Sequence, residues 1–138
     1  MPDTAMPQAA PHVAVSTAAD PVMVTGRRDF FTYRDLGVTA GSGGAMRAQI
    51  TAGRDGMTRP TGWHVHLCQG QFVYLLSGWI DLEFADRKMR LTAGDSVFIP
   101  GNTPHNETGA SENFELLEIS VPADMGTRGC AAPGCPPG

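Results

Sequence analysis

The sequence predicts an all-β domain, a sandwich or barrel of roughly seven to nine short strands. Three observations point there. Short apolar or alternating segments recur between turn signals, as in Gln71–Leu76, Trp79–Phe84, Met89–Thr92, Ser96–Pro100 and Phe114–Val121. The 138 residues include 17 Gly and 11 Pro, which punctuate the middle of the chain and enrich its tails. No amphipathic pattern of helical period runs for about twelve residues or more.

The chain is long enough for one domain with a real core. Its formal net charge of -4 argues against nucleic acid as a partner, because no field of Lys and Arg exists to meet a phosphate backbone. Arg27-Arg28 and Arg87-Lys88 with Arg90 read as solvated turns or strand edges. No apolar run is long enough to span a membrane, and the N-terminus lacks the basic start and apolar stretch of a secretory signal. A cytoplasmic location is the resulting expectation. The three cysteines do not make a disulfide framework, and the Cys130…Cys135 spacing fits no common zinc knuckle.

Residues 1–20, rich in Ala and Pro, read as a flexible arm that holds an isolated His12. The domain is expected over residues 21–122. Pro21–Val24 suits an edge strand or an arm laid on another subunit. Phe30, Phe31 and Tyr33 begin the domain proper, and Gly41–Gly44 reads as a turn. From Ala45 to Thr51 the residues alternate, placing Met46, Ala48 and Ile50 on one face and Arg47, Gln49 and Thr51 on the other. If the second face lines a cavity, Arg47 and Gln49 contact a ligand. Ser77-Gly78 reads as a hairpin-type turn, Asp86–Lys88 and Ala93–Asp95 as further turns, and Gly101–Pro104 as a loop that delivers His105. Pro122 stops the last strand, and residues 123–138 are expected to be a flexible tail.

Chemistry concentrates in Gly62–Gln71. A strand points residues i and i+2 to one face, so His64 and His66 present two imidazoles side by side. His105 can supply a third from a neighbouring strand. Three imidazoles with open positions suit Fe(II), and also Zn, Ni, Cu or Mn. Glu107 shares the face of His105 if that segment is extended, and is the best local acid for proton transfer. By register, Gln71, Val73 and Leu75 share a face. Val73, Leu75 and Phe98 are expected beside the pocket, while Phe72, Tyr74 and Leu76 pack between layers or at a subunit contact. Trp63 reads as packing and Cys68 as a small buried hydrophobe.

The spacing resembles that of the cupin superfamily. One motif of that family runs Gly, His-x-His, then Glu after three or four residues, then Gly after six more. Here it is met by His64, His66, Gln71 and Gly78. The second motif, Gly-x5-Pro-x-Gly-x2-His-x3-Asn, is met by Gly94, Pro100 and His105. The resemblance implies a cupin-type jelly-roll β-barrel. It further implies a three-histidine metal site, with Fe(II) first, as in diketone-cleaving dioxygenases of this small type. The substrate would then be a small enolisable compound and dioxygen the co-substrate, with a homodimer as the assembly. A binding cupin without catalysis, an isomerase and a lyase are the alternatives it leaves. The chain departs from the motifs at three places. Gln71 stands where the acidic ligand belongs, Asn102 where the second glycine belongs, and Gly109 where the asparagine belongs. A neutral Gln oxygen is a weak ligand, and can instead act from just outside a metal's ligand shell.

Overall fold

The computed structural model describes residues 10–53 and 57–133. Eleven strands occur among them: β1 (Val22–Val24), β2 (Phe31–Asp35), β3 (Arg47–Gly53), β4 (His64–Leu67), β5 (Gly70–Ser77), β6 (Trp79–Phe84), β7 (Lys88–Thr92), β8 (Ser96–Pro100), β9 (His105–Ala110), β10 (Glu115–Val121) and β11 (Gly126–Gly129). They form two antiparallel sheets. One has the order β1-β2-β3-β10-β5-β8, the other β11-β4-β9-β6-β7. The two sheets make a jelly-roll-like sandwich, and the all-β expectation holds. Among the described residues, no helix is long and apolar enough to cross a membrane.

Alternation decides which side chains enter the space between the sheets. On β10, Leu116 and Ser120 are buried and Glu118 shares their phase. Glu118 lies opposite Gln49 on one side and Val73 on the other; Ser120 lies opposite Arg47 and Gln71. On β8, Val97 and Ile99 face Val73 and Gln71 across the strand pair. The apolar core comprises Val73, Leu75, Ile80, Leu82, Leu91, Phe114 and Leu116, with Phe31 and Phe84 packed against it. Phe114 and Leu75 are fully buried, and Phe31 meets Phe114 edge-on at 5.1 Å between centroids. Burying a side chain of this size stabilises the fold by about 1.5–3 kcal/mol.

Several sequence expectations need correction. Ser77-Gly78 does not close a hairpin, because β5 and β6 belong to different sheets. Gly78 has φ 73°, and a Cβ there would lie 2.2 Å from Ser111 Oγ and 2.8 Å from Phe114 Cα. The chain turns a corner there that only glycine fits. Val38–Gly41 forms one helical turn, α1, which the sequence did not signal. As expected, the loop Gly101–Pro104 ends where His105 begins a strand, β9. Residues after 122 are not all tail, since β11 pairs with β4 from Gly126 to Gly129. The sheet holding His64 and His66 has a free edge until β11 covers it.

Asn102 explains how this chain meets the shifted glycine of the second motif. It is the one described non-glycine residue with a left-handed backbone, φ 62°. Asn tolerates that conformation better than most residues. Gly101 beside it is required for another reason: a Cβ there would lie 1.7 Å from the Cys68 carbonyl oxygen.

Candidate metal centre

The three histidines expected to converge do so. His64 and His105 are direct cross-strand partners on β4 and β9, and His66 follows on the same face of β4. Their ring centroids lie 4.4 Å (His64–His105), 4.9 Å (His66–His105) and 5.0 Å (His64–His66) apart. One ring nitrogen from each lies within 4.8 Å of the others. All three side chains are buried, His105 to 1% exposure.

The second ring nitrogen of each is held. His64 Nδ1 donates to the Gly62 carbonyl at 2.6 Å, and His105 Nδ1 to the Thr103 carbonyl at 2.9 Å. A carbonyl can only accept, so in the neutral form each of these two rings carries its proton on Nδ1 and leaves the Nε2 lone pair free. His66 Nδ1 meets Thr127 Oγ1 at 2.9 Å, a hydroxyl supplied by β11. Burial pushes the His66 imidazole down to about 3, with His105, His64, Arg27 and Arg47 adding to the effect. Burial also lowers His64, against the opposing pull of Glu107. Neutral imidazoles are what a metal needs. His105 Nε2 is buried with no hydrogen-bond partner among the described residues, an orphaned atom that a metal ion would satisfy. The donor set therefore fits a divalent transition metal.

Glu107 lies on β9, two residues after His105, and the extended strand gives it the same face. Its Oε2 is 3.5 Å from His64 Nε2 and accepts the Thr61 hydroxyl at 2.6 Å. Thr61 N–H also donates to the Glu107 carbonyl, and Gly62 N–H to Asn106 Oδ1 at 2.9 Å. The loop before β4 is thus tied to β9, which sets the approach of His64.

A cavity of about 330 Å³ opens over the histidines. It is lined by His64, His66 and Glu107 from one sheet and by Arg47, Gln49 and Glu118 from the other, among others. Arg47 and Gln49 therefore lie where expected. Val73 and Leu75 do not line it. Gln71, on the same inward face, does not line it either but reaches Glu118, which does, and from Val73 on that face belongs to the apolar core. Phe98 is also misplaced by the sequence reading. It is 61% exposed, because Val97 and Ile99 take the inward phase of β8.

Gln71 is buried, and its amide N–H₂ donates to Glu118 Oε1. Its Oε1 has no partner among the described residues. Glu118 also accepts Gln49 Nε2 at 2.9 Å and Thr51 Oγ1 at 2.6 Å. Sequence reasoning missed Glu118, although one signal was present: an acid in phase with Leu116 and Ser120 inside an apolar strand. It also missed Thr127 and Thr61, for which no local signal exists. Cys68 and Cys130 are free, with Cys68 half-buried and its thiol pushed up by burial. Cys135 lies outside the described residues.

Comparison with known proteins agrees with this picture. Residues 56–120 match the cupin domain family. No curated protein matches the chain. Among solved structures, the fold is similar to the polyketide cyclase RemF from Streptomyces resistomycificus, with TM-score 0.69 and 18% identity over 86% of each chain. It is similar to KdgF from Halomonas sp., with TM-score 0.66 and 17% identity over 81% of this chain and 96% of that one. It is also similar to the Fe(II) form of HppE, with TM-score 0.62 and 16% identity over 84% of this chain and 64% of that one. Sequence motifs and family match agree that residues 56–120 form a cupin domain, and the similar structures share its fold.

Proposed function

We propose that this protein is a metal-dependent enzyme of the Fe(II) dioxygenase type, acting on a small enolisable, β-dicarbonyl-like compound. The observation that carries the reading is the cluster of three buried imidazoles with one adjacent carboxylate, Glu107, where His64, His66 and Glu107 line a small cavity. His64, His66 and His105 would hold the ion. Fe(II) is the first choice, in keeping with the Fe(II) named for HppE, and Zn, Ni, Cu or Mn are the alternatives. When bound, iron supplies Lewis-acid and redox chemistry toward substrate and dioxygen.

The chain's own residues do the rest. Glu107 Oε2 takes the acidic proton of the substrate, and the Thr61 hydroxyl holds that oxygen in place. Gln49 is oriented by Glu118 and presents a polar wall to the substrate. Gln71 is braced by the same carboxylate and acts on the site from the β5 side, with Oε1 as its free acceptor. Phe31, Ile80, Phe114 and Leu116 form the apolar part of the cavity wall and restrict water there. The exposed outer face of β5 and β8, with Tyr74, Leu76 and Phe98, supports assembly as a homodimer.

Metal analysis of fresh protein, paired with oxygen uptake on acetylacetone with and without added Fe(II), tests the reading. Uptake that depends on Fe(II) and falls in His64→Ala and His105→Ala is the expected result. Zinc as the sole native metal with no uptake after Fe(II) loading would sink it. A second reading, an isomerase or lyase that moves protons without dioxygen, is favoured by the placement of Glu107. It predicts deuterium exchange at the substrate carbon, lost in Glu107→Gln, without oxygen uptake.

A further inference from the structure

The cavity carries cations that the fold does not use. Its charged lining consists of Arg27, Arg28 and Arg47 against Asp35, Glu107 and Glu118. All three acids are occupied. Asp35 accepts the Gly37 N–H, Glu107 the Thr61 hydroxyl, and Glu118 the groups of Gln49, Thr51 and Gln71. Among the described residues, no carboxylate lies within ion-pair distance of any of the three arginines. Arg28 donates to the Thr61 carbonyl at 2.9 Å, but Arg27 and Arg47 have no side-chain hydrogen-bond partner there.

Their positions make this more than surface charge. Arg47 is half-buried at the inward phase of β3, level with Ser120 and Gln71 in the adjoining strands. Arg27 sits at the mouth of the same cavity. Both guanidiniums bear electrostatically on His66. An acidic protein of net charge -4 has thus placed two uncommitted guanidiniums against its three-histidine site. A guanidinium presents a planar fork that matches a carboxylate, and desolvation in a cavity strengthens that pair.

We infer that the substrate is an anion, a small β-dicarbonyl acid whose carboxylate is bound by Arg47 with Arg27 at the mouth, while its enolisable oxygens face the three histidines. This rests on the proposed function for the histidine end only; the carboxylate end stands on the arginines alone. The cavity volume, about 330 Å³, is at the small end of ligand pockets and suits such an acid.

Calorimetric titration at low salt with acetoacetate, neutral acetylacetone and inorganic phosphate tests it. Each is run on the purified protein and again after metal removal, with metal content measured separately. Acetoacetate is expected to bind more tightly than the other two. Arg47→Gln should weaken acetoacetate about tenfold or more, with acetylacetone and metal content unchanged. Arg47→Lys should restore part of the loss. Should Arg47→Gln fail to fold, Arg27→Gln on its exposed loop and the wild-type preference for acetoacetate over acetylacetone carry the test. Equal binding of the two dicarbonyls, tighter binding of phosphate, or acetoacetate affinity indifferent to both arginines would overturn the inference. Acetoacetate bound through Arg47 in a protein that takes up no metal would remove the metal reading and leave the anion site standing.

Discussion

Gln71 donates its side-chain amide to Glu118, two residues from its register partner Ser120 across the β5–β10 pair. The position where the family motif carries an acid is therefore backed by an acid from the next strand. A carboxylate at 71 would face the carboxylate of Glu118 in a buried setting. An amide there gives Glu118 its third donor, after Gln49 and Thr51.

Restoring the family residue should therefore harm this protein. Gln71→Glu is expected to cost about 1–3 kcal/mol of stability at neutral pH, since two buried carboxylates cannot share a site unless one takes a proton. Denaturant melts should show the deficit shrinking as the pH is lowered toward 5. The exchange Gln71→Glu with Glu118→Gln restores the pair and should recover most of the loss. A Gln71→Glu protein as stable as wild type at pH 8 would refute the account.

The β11 strand is expected to matter to the metal centre through one hydroxyl. Thr127→Val removes the partner of His66 Nδ1 while keeping the shape of the side chain. Groups that hold the far nitrogen of a ligating histidine are worth about 10–100-fold in metal affinity. Competition with a chromophoric chelator should show a loss in that range, with little change in melting temperature.

Acid should destabilise the metal-free protein through His66. Its folded-state value of about 3 lies below the ordinary 6.5, so between these the unfolded chain takes up a proton that the folded chain refuses. Stability is intact above about pH 6.5 and falls as the pH drops toward 3. The slope from this one group is at most about 1.4 kcal/mol per pH unit. Urea midpoints between pH 7 and 4 measure it, and His66→Asn should flatten the curve. An unchanged slope in His66→Asn would show that another group carries the acid sensitivity.

Asn102 and Gly101 make opposite predictions. Asn102→Gly should be neutral or slightly stabilising, and Asn102→Ala should cost about 1 kcal/mol, because φ 62° is left-handed. Gly101→Ala must displace the backbone at Cys68 and should cost clearly more. Thermal melts of the three variants rank them; Gly101→Ala as stable as Asn102→Ala would contradict the packing described.

What the sequence alone determined rests on short-range regularities. Alternation, Gly/Pro punctuation and the absence of a helical period were enough for the all-β class. A period of two put His64 and His66 on one face, and the same period put Glu107 with His105 once that segment proved extended. Arg47 and Gln49 were found as one face of a strand.

The tertiary structure decided what lies across from each face. Alternation says that Gln71, Val73 and Leu75 point the same way, but not that the space they enter changes from polar site to apolar core between 71 and 73. That boundary is drawn by Glu118, which arrives from a strand more than forty residues later. Nor can local pattern say which sheet a strand joins. Ser77-Gly78 looks like a hairpin because the turn chemistry is the same whether the chain folds back or crosses to the other sheet. Thr127 meets His66 only because β11 pairs beside β4, and nothing in Gly126–Gly129 by itself favours a strand. The face a residue takes is a property of its neighbours in sequence. The partner it meets there is set by long-range pairing, which no window of a few residues contains.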